Sequence, residues 1–135
     1  MYVIIYDFGT TSVKTCLLDI GKTIRLICDT TEYYRLYILS NGGAEQDADE
    51  WWNAIISSTR RLFTKTDISP SEVGSISFCT QMQGVVLVDK EGNALRRPMS
   101  YADQRAVKEF RSCLGNGLIK ISGCNAFKQI GRAHV

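Results

Sequence analysis

The sequence predicts an α/β fold, a mixed sheet with packed helices, and three observations carry it. Residues 2–18 read as two apolar strands about a tight polar turn. Residues 48–63 repeat apolar side chains at helical spacing. Residues 73–79 return to a short strand that runs straight into a polar, glycine-ended loop.

The first stretch, Tyr2-Val3-Ile4-Ile5-Tyr6-Asp7-Phe8-Gly9-Thr10-Thr11-Ser12-Val13-Lys14, sets an acid at the end of an apolar run. At the mouth of a buried strand an unpartnered carboxylate is costly, so Asp7 is expected to face a cation or hydrogen-bond donors. Gly9 permits a tight turn and a close approach; Thr10, Thr11 and Ser12 add hydroxyls beside backbone N–H groups, and Lys14 adds a positive charge. Together they suit a magnesium-bound nucleotide phosphate, with Asp7 as the metal-side carboxylate. On residue types alone, an ordinary hairpin whose turn carries D-x-G-T-T stands level with that reading. Neither G-x-x-x-x-G-K-[ST] nor G-x-G-x-x-G occurs.

After a turn at 19–22, residues 23–31 read as a third strand with Ile24, Leu26 and Cys28 at a period of two, so three antiparallel strands open the chain. Residues 32–41, dense in apolar and aromatic side chains, read as strand or buried loop, closed by Asn41-Gly42-Gly43. The helix stripe comprises Ala48, Trp51, Trp52, Ile55, Ile56, Thr59, Leu62 and Phe63, with Arg60 and Arg61 late, where cations favour the dipole. Asp47 is the expected N-cap, with Glu50 reaching back to it. Both tryptophans are assigned to the core-facing stripe in preference to ligand stacking. A turn at 68–71 precedes the strand at 73–79. Residues 85–89 read as a further strand, joined by a turn at 90–93 to 94–97.

Between those strands lies Gln81-Met82-Gln83-Gly84, whose two amides suit sugar hydroxyls or simply face water. A polar segment, 98–105, leads into a helix over 106–114; Asp103 and Arg105 within it are placed to cap, to pair or to face a substrate. Gly115-Asn116-Gly117 closes that helix, and 118–122 is a last apolar piece.

At 135 residues and 44% hydrophobic, the chain is the size of one ordinary domain. A net charge of +2 leaves no electrostatic footprint for nucleic acid or an anionic membrane. No apolar run is long enough to span a bilayer and no leader pattern opens the chain, so a cytoplasmic protein is expected. Five widely spaced cysteines, Cys79 among them, read as reduced core thiols, and with one histidine and no C-x-x-C pair no zinc site is expected.

Four segments, in order, resemble one family. Residues 6–14 look like the first phosphate motif of the FGGY carbohydrate kinases; Glu45-Gln46-Asp47 with Trp51-Trp52 is similar to their E-Q-x-P-x-x-W-W segment. Gln81-Met82-Gln83-Gly84 resembles the Q-M-H-G loop, and Ser100-Tyr101-Ala102-Asp103-Gln104-Arg105 the W-x-D-x-R element. Xylulose kinase and its pentulose and hexulose relatives are the nearest pattern. The resemblance implies a ribonuclease H-like, actin-like ATPase fold, with residues 1–129 an incomplete first domain. It implies ATP-dependent phosphorylation of a sugar or polyol, xylulose favoured, with ATP and Mg. Asp7 would organise metal and phosphates as the catalytic-site carboxylate; Gly9, Thr10, Thr11, Ser12 and Lys14 would hold the nucleotide. Gln81, Met82 and Gln83 would line the sugar pocket, with Asp103 and Arg105 supporting its wall.

Gln83 stands where xylulose kinases carry histidine, which opens the choice of sugar, and the N-Q-R-E loop of glycerol kinases is missing. The family's catalytic-base aspartate and second domain are expected beyond residue 135, so this chain alone is expected to be inactive; a homodimer is one expectation for the full-length protein. Residues 130–135 resemble translated sequencing adapter and are read as a non-native tail. Two rival readings are a non-catalytic structural or interaction domain of this architecture, and an actin-like ATPase without sugar transfer.

Overall fold

The computed structural model describes residues 1–115, and the expectations for 116–135, the apolar piece and the tail included, lie outside them. Three strands form the antiparallel opening: β1 (Tyr2–Phe8), β2 (Ser12–Ile20) and β3 (Ile24–Tyr33). Two-residue strands β4 (Tyr37–Ile38) and β5 (Ala44–Glu45) then lead into α1 (Ala48–Phe63). A 3-10 turn (Pro70–Glu72), capped by Ser69 and Glu72, feeds β6 (Val73–Thr80). The last described element is α2 (Val107–Gly115).

The sheet order is β3-β2-β1-β6, and β6 runs parallel to β1. α1 is the crossover between them, as parallel neighbours require a connection long enough to return the chain to the same sheet edge. Register sets the two faces. Ile4 opposes Leu17 and Tyr6 opposes Thr15, so these side chains share the face covered by α1. Asp7, Lys14 and Cys79 occupy the other face.

The core is Ile4, Tyr6, Val13, Leu17, Tyr34, Ala54 and Leu62, with Trp51 and Ile55 against it. The helix stripe is turned from the one expected. Its buried centre is Ala54, Ser58 and Leu62, and small side chains there let the helix lie close to β2. Ser58 is wholly buried because its hydrogen bonds are met: Thr15 Oγ1 donates to its hydroxyl at 2.7 Å, that hydroxyl donates to Ile55 O at 3.1 Å, and Thr30 Oγ1 donates to its carbonyl at 2.9 Å. Rotation of the stripe puts Trp52 outside the core, at 62% exposed, contrary to its expected place.

Asp47 does cap α1, accepting from Asp49 N, but Glu50 does not reach back. Its carboxylate accepts from Arg35 N at 2.8 Å and Tyr37 Oη at 2.7 Å, because the 32–38 segment passes beside the helix start. Residues 32–41 therefore combine both readings: Tyr34 is buried and Tyr37–Ile38 is a short strand. Ile24 and Leu26 alternate as expected yet lie exposed at the sheet edge. Arg61 and Lys65, from the last turn of α1 and just beyond it, donate to Thr31 O and Asp29 O of that edge strand.

Two further expectations fail. Residues 85–89 and 94–97 form isolated bridges, Val88 to Ala94 and Val85 to Met99, in place of two strands. Val85, Val86, Leu87 and Val88 are each about half exposed, so the ribbon lacks the buried face that stabilises a strand pair. Cys79 is exposed, because β6 is an edge and its outer face is uncovered; Cys16 and Cys28 are half-buried thiols. Among the described residues, no helix is long and apolar enough to cross a membrane.

The buried hydroxyl pair gives a test. Ser58→Ala strands the Thr15 hydroxyl and is expected to cost about 1–3 kcal/mol by urea unfolding. Adding Thr15→Val should cost less than the sum of the two single changes, because both polar partners are then gone.

Candidate functional site

Two loops leave the carboxyl ends of the adjacent parallel strands β1 and β6, the position where open α/β sheets present ligands. Gln81 N donates to Phe8 O at 2.8 Å and ties the second loop to the first.

In the first loop every carbonyl from Gly9 to Ser12 is turned inward and used. Tyr34 Oη donates to Gly9 O at 2.6 Å and to Ser12 O at 2.8 Å, and Ser12 O also accepts from Gly9 N at 2.9 Å. Gln46 Nε2 donates to Thr10 O at 2.7 Å, and Tyr34 N to Thr11 O at 3.0 Å. The N–H groups of Thr10 and Thr11 have no acceptor among the described residues. A turn with carbonyls satisfied and N–H groups left over is suited to an anion. Burial, then the Asp7 charge, pushes the Tyr34 phenol up to about 12, so it remains a donor across the physiological range.

Asp7 is exposed at the end of β1, a correction to the buried strand mouth expected for it, because no helix of the described residues covers its face of the sheet. Its carboxylate has no ion pair or hydrogen bond among the described residues. Lys14, opposite it in register, is held by Asp29 at 2.9 Å. No group of three metal-ligating side chains occurs among the described residues. An unpaired, accessible Asp7 beside an anion-ready turn fits a magnesium ion that keeps several waters and takes its remaining oxygens from phosphate.

The second loop borders a cavity of about 430 Å³ on the α1 face, lined by Phe8, Gln46, Trp51, Trp52, Gln81 and Gln83 among others. Gln81 Nε2 donates to Gln46 Oε1 at 2.7 Å. Gln81 Oε1 and Trp51 Nε1, both buried, lack partners among the described residues. Gln83 sits at φ 64°, strain of the kind that collects at ligand sites, while Met82 is 75% exposed and outside the cavity lining. A Cβ on Gly84 would meet Met99 O at 3.3 Å, so the loop closes tightly there.

Asp103 and Arg105 pair with each other rather than capping α2, and neither lines the cavity. Arg105 Nη2 also reaches the buried Glu45 at 2.8 Å, which Arg96 joins at 2.6 Å, and Asp103 accepts from Ala44 N at 3.0 Å. Hydrogen bonding to Arg105 holds the Asp103 carboxyl down at about 2, and the same guanidinium lowers Glu45. This network clamps residues 96–105 to β5. The clamp brings Tyr101 Oη to 3.1 Å from Thr10 Oγ1. Sequence reasoning passed over Tyr34, Gln46 and Tyr101 as site residues. Tyr34 was one of several aromatics in an ambiguous stretch, and Gln46 was visible only as part of a motif.

Residues 2–122 match the pattern described as the FGGY family of carbohydrate kinases, N-terminal domain. The chain is 35% identical over 100 residues to a xylulose kinase of Staphylococcus epidermidis, covering 73% of this chain and 20% of that protein. Among solved structures it is similar to a xylulose kinase from Rhodospirillum rubrum, at TM-score 0.72 and 29% identity over 83% of this chain and 23% of that one. A gluconate kinase from Lactobacillus acidophilus superposes at TM-score 0.77 and 25% identity, over 86% of this chain and 23% of that one. The chain spans about a fifth of the length of the curated relative.

Tyr34→Phe is expected to destabilise the chain by about 1–3 kcal/mol in urea unfolding, since two loop carbonyls lose their shared donor. Asp103 gives a pH signature of defined sign. Its folded value, about 2, lies below the ordinary 3.8, so the stability it contributes is present above 3.8 and is lost as pH falls through about 2. Asp103→Asn should flatten that part of the acid-unfolding profile; an unchanged profile would show that the carboxylate is not held by Arg105.

Proposed function

The chain belongs to the FGGY family of carbohydrate kinases, with the actin-like ATPase fold in part of its N-terminal domain, and from this premise we propose that it supplies the phosphate turn and one wall of the sugar pocket of a longer, cytoplasmic, ATP-dependent carbohydrate kinase. The observation that carries the reading is the pairing of an anion-ready turn with an amide-lined cavity at the ends of neighbouring strands, joined through Gln46. A nucleotide phosphate and a polyhydroxyl acceptor need those two surfaces side by side.

Asp7 would hold Mg and, through it, the terminal phosphates of ATP; the ion would supply charge neutralisation there. The free N–H groups of Thr10 and Thr11, with the hydroxyls of Thr10 and Ser12 and the flexibility of Gly9, would orient the phosphate. Lys14, engaged by Asp29, contributes positive field from one residue pair away. Gln81 and Gln83 would hydrogen-bond sugar hydroxyls, with Trp51 and Trp52 as apolar walls. Met82, exposed here, would meet the sugar from the rim. Asp103 and Arg105 support that wall through Glu45 instead of touching ligand. A pentulose such as xylulose is the favoured acceptor, on the likeness to xylulose kinases.

A coupled ADP-release assay with D-xylulose, glycerol and gluconate tests this on both lengths of protein. The longer kinase should turn over at least one of them, and the 135-residue chain none. Asp7→Ala in the longer protein should lower kcat by about a hundredfold or more while thermal unfolding is unchanged. Lost stability with the kinetics spared would instead favour a structural domain.

A further inference from the structure

We propose that Asp29 is a positioning residue that holds the Lys14 ammonium away from Asp7 and so leaves the Asp7 carboxylate free for a phosphate-bound metal ion, an inference that rests on the kinase reading of the site.

The three residues share the sheet face that no described helix covers. Asp7 on β1 and Lys14 on β2 are opposed in register, and Asp29 on β3 faces Cys16, two residues along β2 from Lys14. Opposed side chains stand about 4.5–5.5 Å apart at Cβ, a gap that a lysine stem spans. Lys14 therefore has a carboxylate in reach on each neighbouring strand. It takes the diagonal one: Lys14 Nζ lies 2.9 Å from Asp29 Oδ2, and no ion pair joins it to Asp7.

The hydrogen bond to Asp29, and then the Asp29 charge, raise the Lys14 amine above its ordinary value; the Asp7 charge adds the least. Asp29 is itself anchored, because Lys65, just beyond α1, donates to its backbone carbonyl at 2.7 Å. Without the Asp29 carboxylate, Asp7 is the remaining carboxylate acting on Lys14. An ammonium drawn to Asp7 would occupy the oxygens that a magnesium ion needs and would repel the cation. Asp29 thus acts on the site through Lys14, from a strand that does not touch the phosphate turn's metal-side carboxylate.

Binding of ADP to the longer kinase, measured by titration calorimetry with Mg2+ and again with EDTA in its place, isolates the metal-dependent part. In Asp29→Asn the ratio of the two dissociation constants, metal-free over metal-bound, should fall by about two- to fivefold, the size of a cross-strand ion pair. An ion pair that merely joins two strands would leave that ratio unchanged, and this result would overturn the proposal. Loss of the Asp29 charge by itself acts whether or not Lys14 is present, so the change is repeated in a Lys14→Met background. There it should have no effect on the ratio, and an equal fall in both backgrounds would also overturn the proposal. Should Asp29→Asn not fold, Asp29→Thr, whose β-branched side chain suits a strand, takes its place in the same comparison. Failure of the unaltered longer protein to bind ADP in either condition would defeat the kinase reading and the proposal together, whereas binding with an unchanged ratio defeats the proposal only.

Discussion

The four carbonyls of residues 9–12 point into the protein, and the rest of the site depends on their being satisfied there. A tight turn between two strands has few ways to dispose of its polar backbone. If the carbonyls faced outward, the turn would present negative potential to any phosphate. Tyr34 and Gln46 draw them inward, and the N–H groups are left on the outer side. The outward set of N–H groups on the turn is therefore made by residues behind it, Tyr34 and Gln46.

That requirement explains features elsewhere in the chain. Tyr34 must be buried beside the turn, so the segment after β3 folds back over the end of the sheet, and Glu50 anchors it through Arg35 N and Tyr37 Oη. Gln46 must lie against Thr10, so the chain before α1 is pinned on both sides. Gln46 N donates to Pro98 O, Ser100 N donates to Ala44 O, and the carboxylates of Glu45 and Asp103 share Arg105. Buried ion pairs are weak evidence of net stabilisation once desolvation is counted. Here the pairs specify position, because Glu45 adjoins Gln46 in sequence and fixes where its backbone runs.

The strands of the four-stranded sheet, the main helix and the loops at residues 9–12 and 81–84 were legible from the sequence, since period and turn chemistry determine them locally. The helix phase was not. Ala54 and Ser58 carry too little apolar character to mark the buried centre, and the hydroxyl partners that make Ser58 a core residue come from β2 and β3. Trp52 was misplaced for the same reason, as a large apolar residue weighs heavily in any stripe drawn from one sequence. Residues 85–88 have strand composition, but strand pairing also needs a covered face, and the described residues provide none. The supporting roles of Tyr34, Gln46 and Tyr101 depend on contacts 22 to 91 residues apart, which no local pattern encodes.

Register divides the chemistry of the site between two faces of one strand. Asp7 projects from the face that no described helix covers, whereas Tyr6 and Phe8 on either side of it project toward α1 and the cavity wall. Alternation along β1 keeps the Asp7 carboxylate apart from the cavity, so the α1 face retains an apolar wall with a few fixed amides. The two faces meet only at the turn, where the strand ends and the backbone is free of the sheet. Gln46 spans that junction from below, reaching the turn with its nitrogen and the amide loop with its oxygen. One buried glutamine thus makes a polar connection between the turn that follows Asp7 and the amide loop at the cavity.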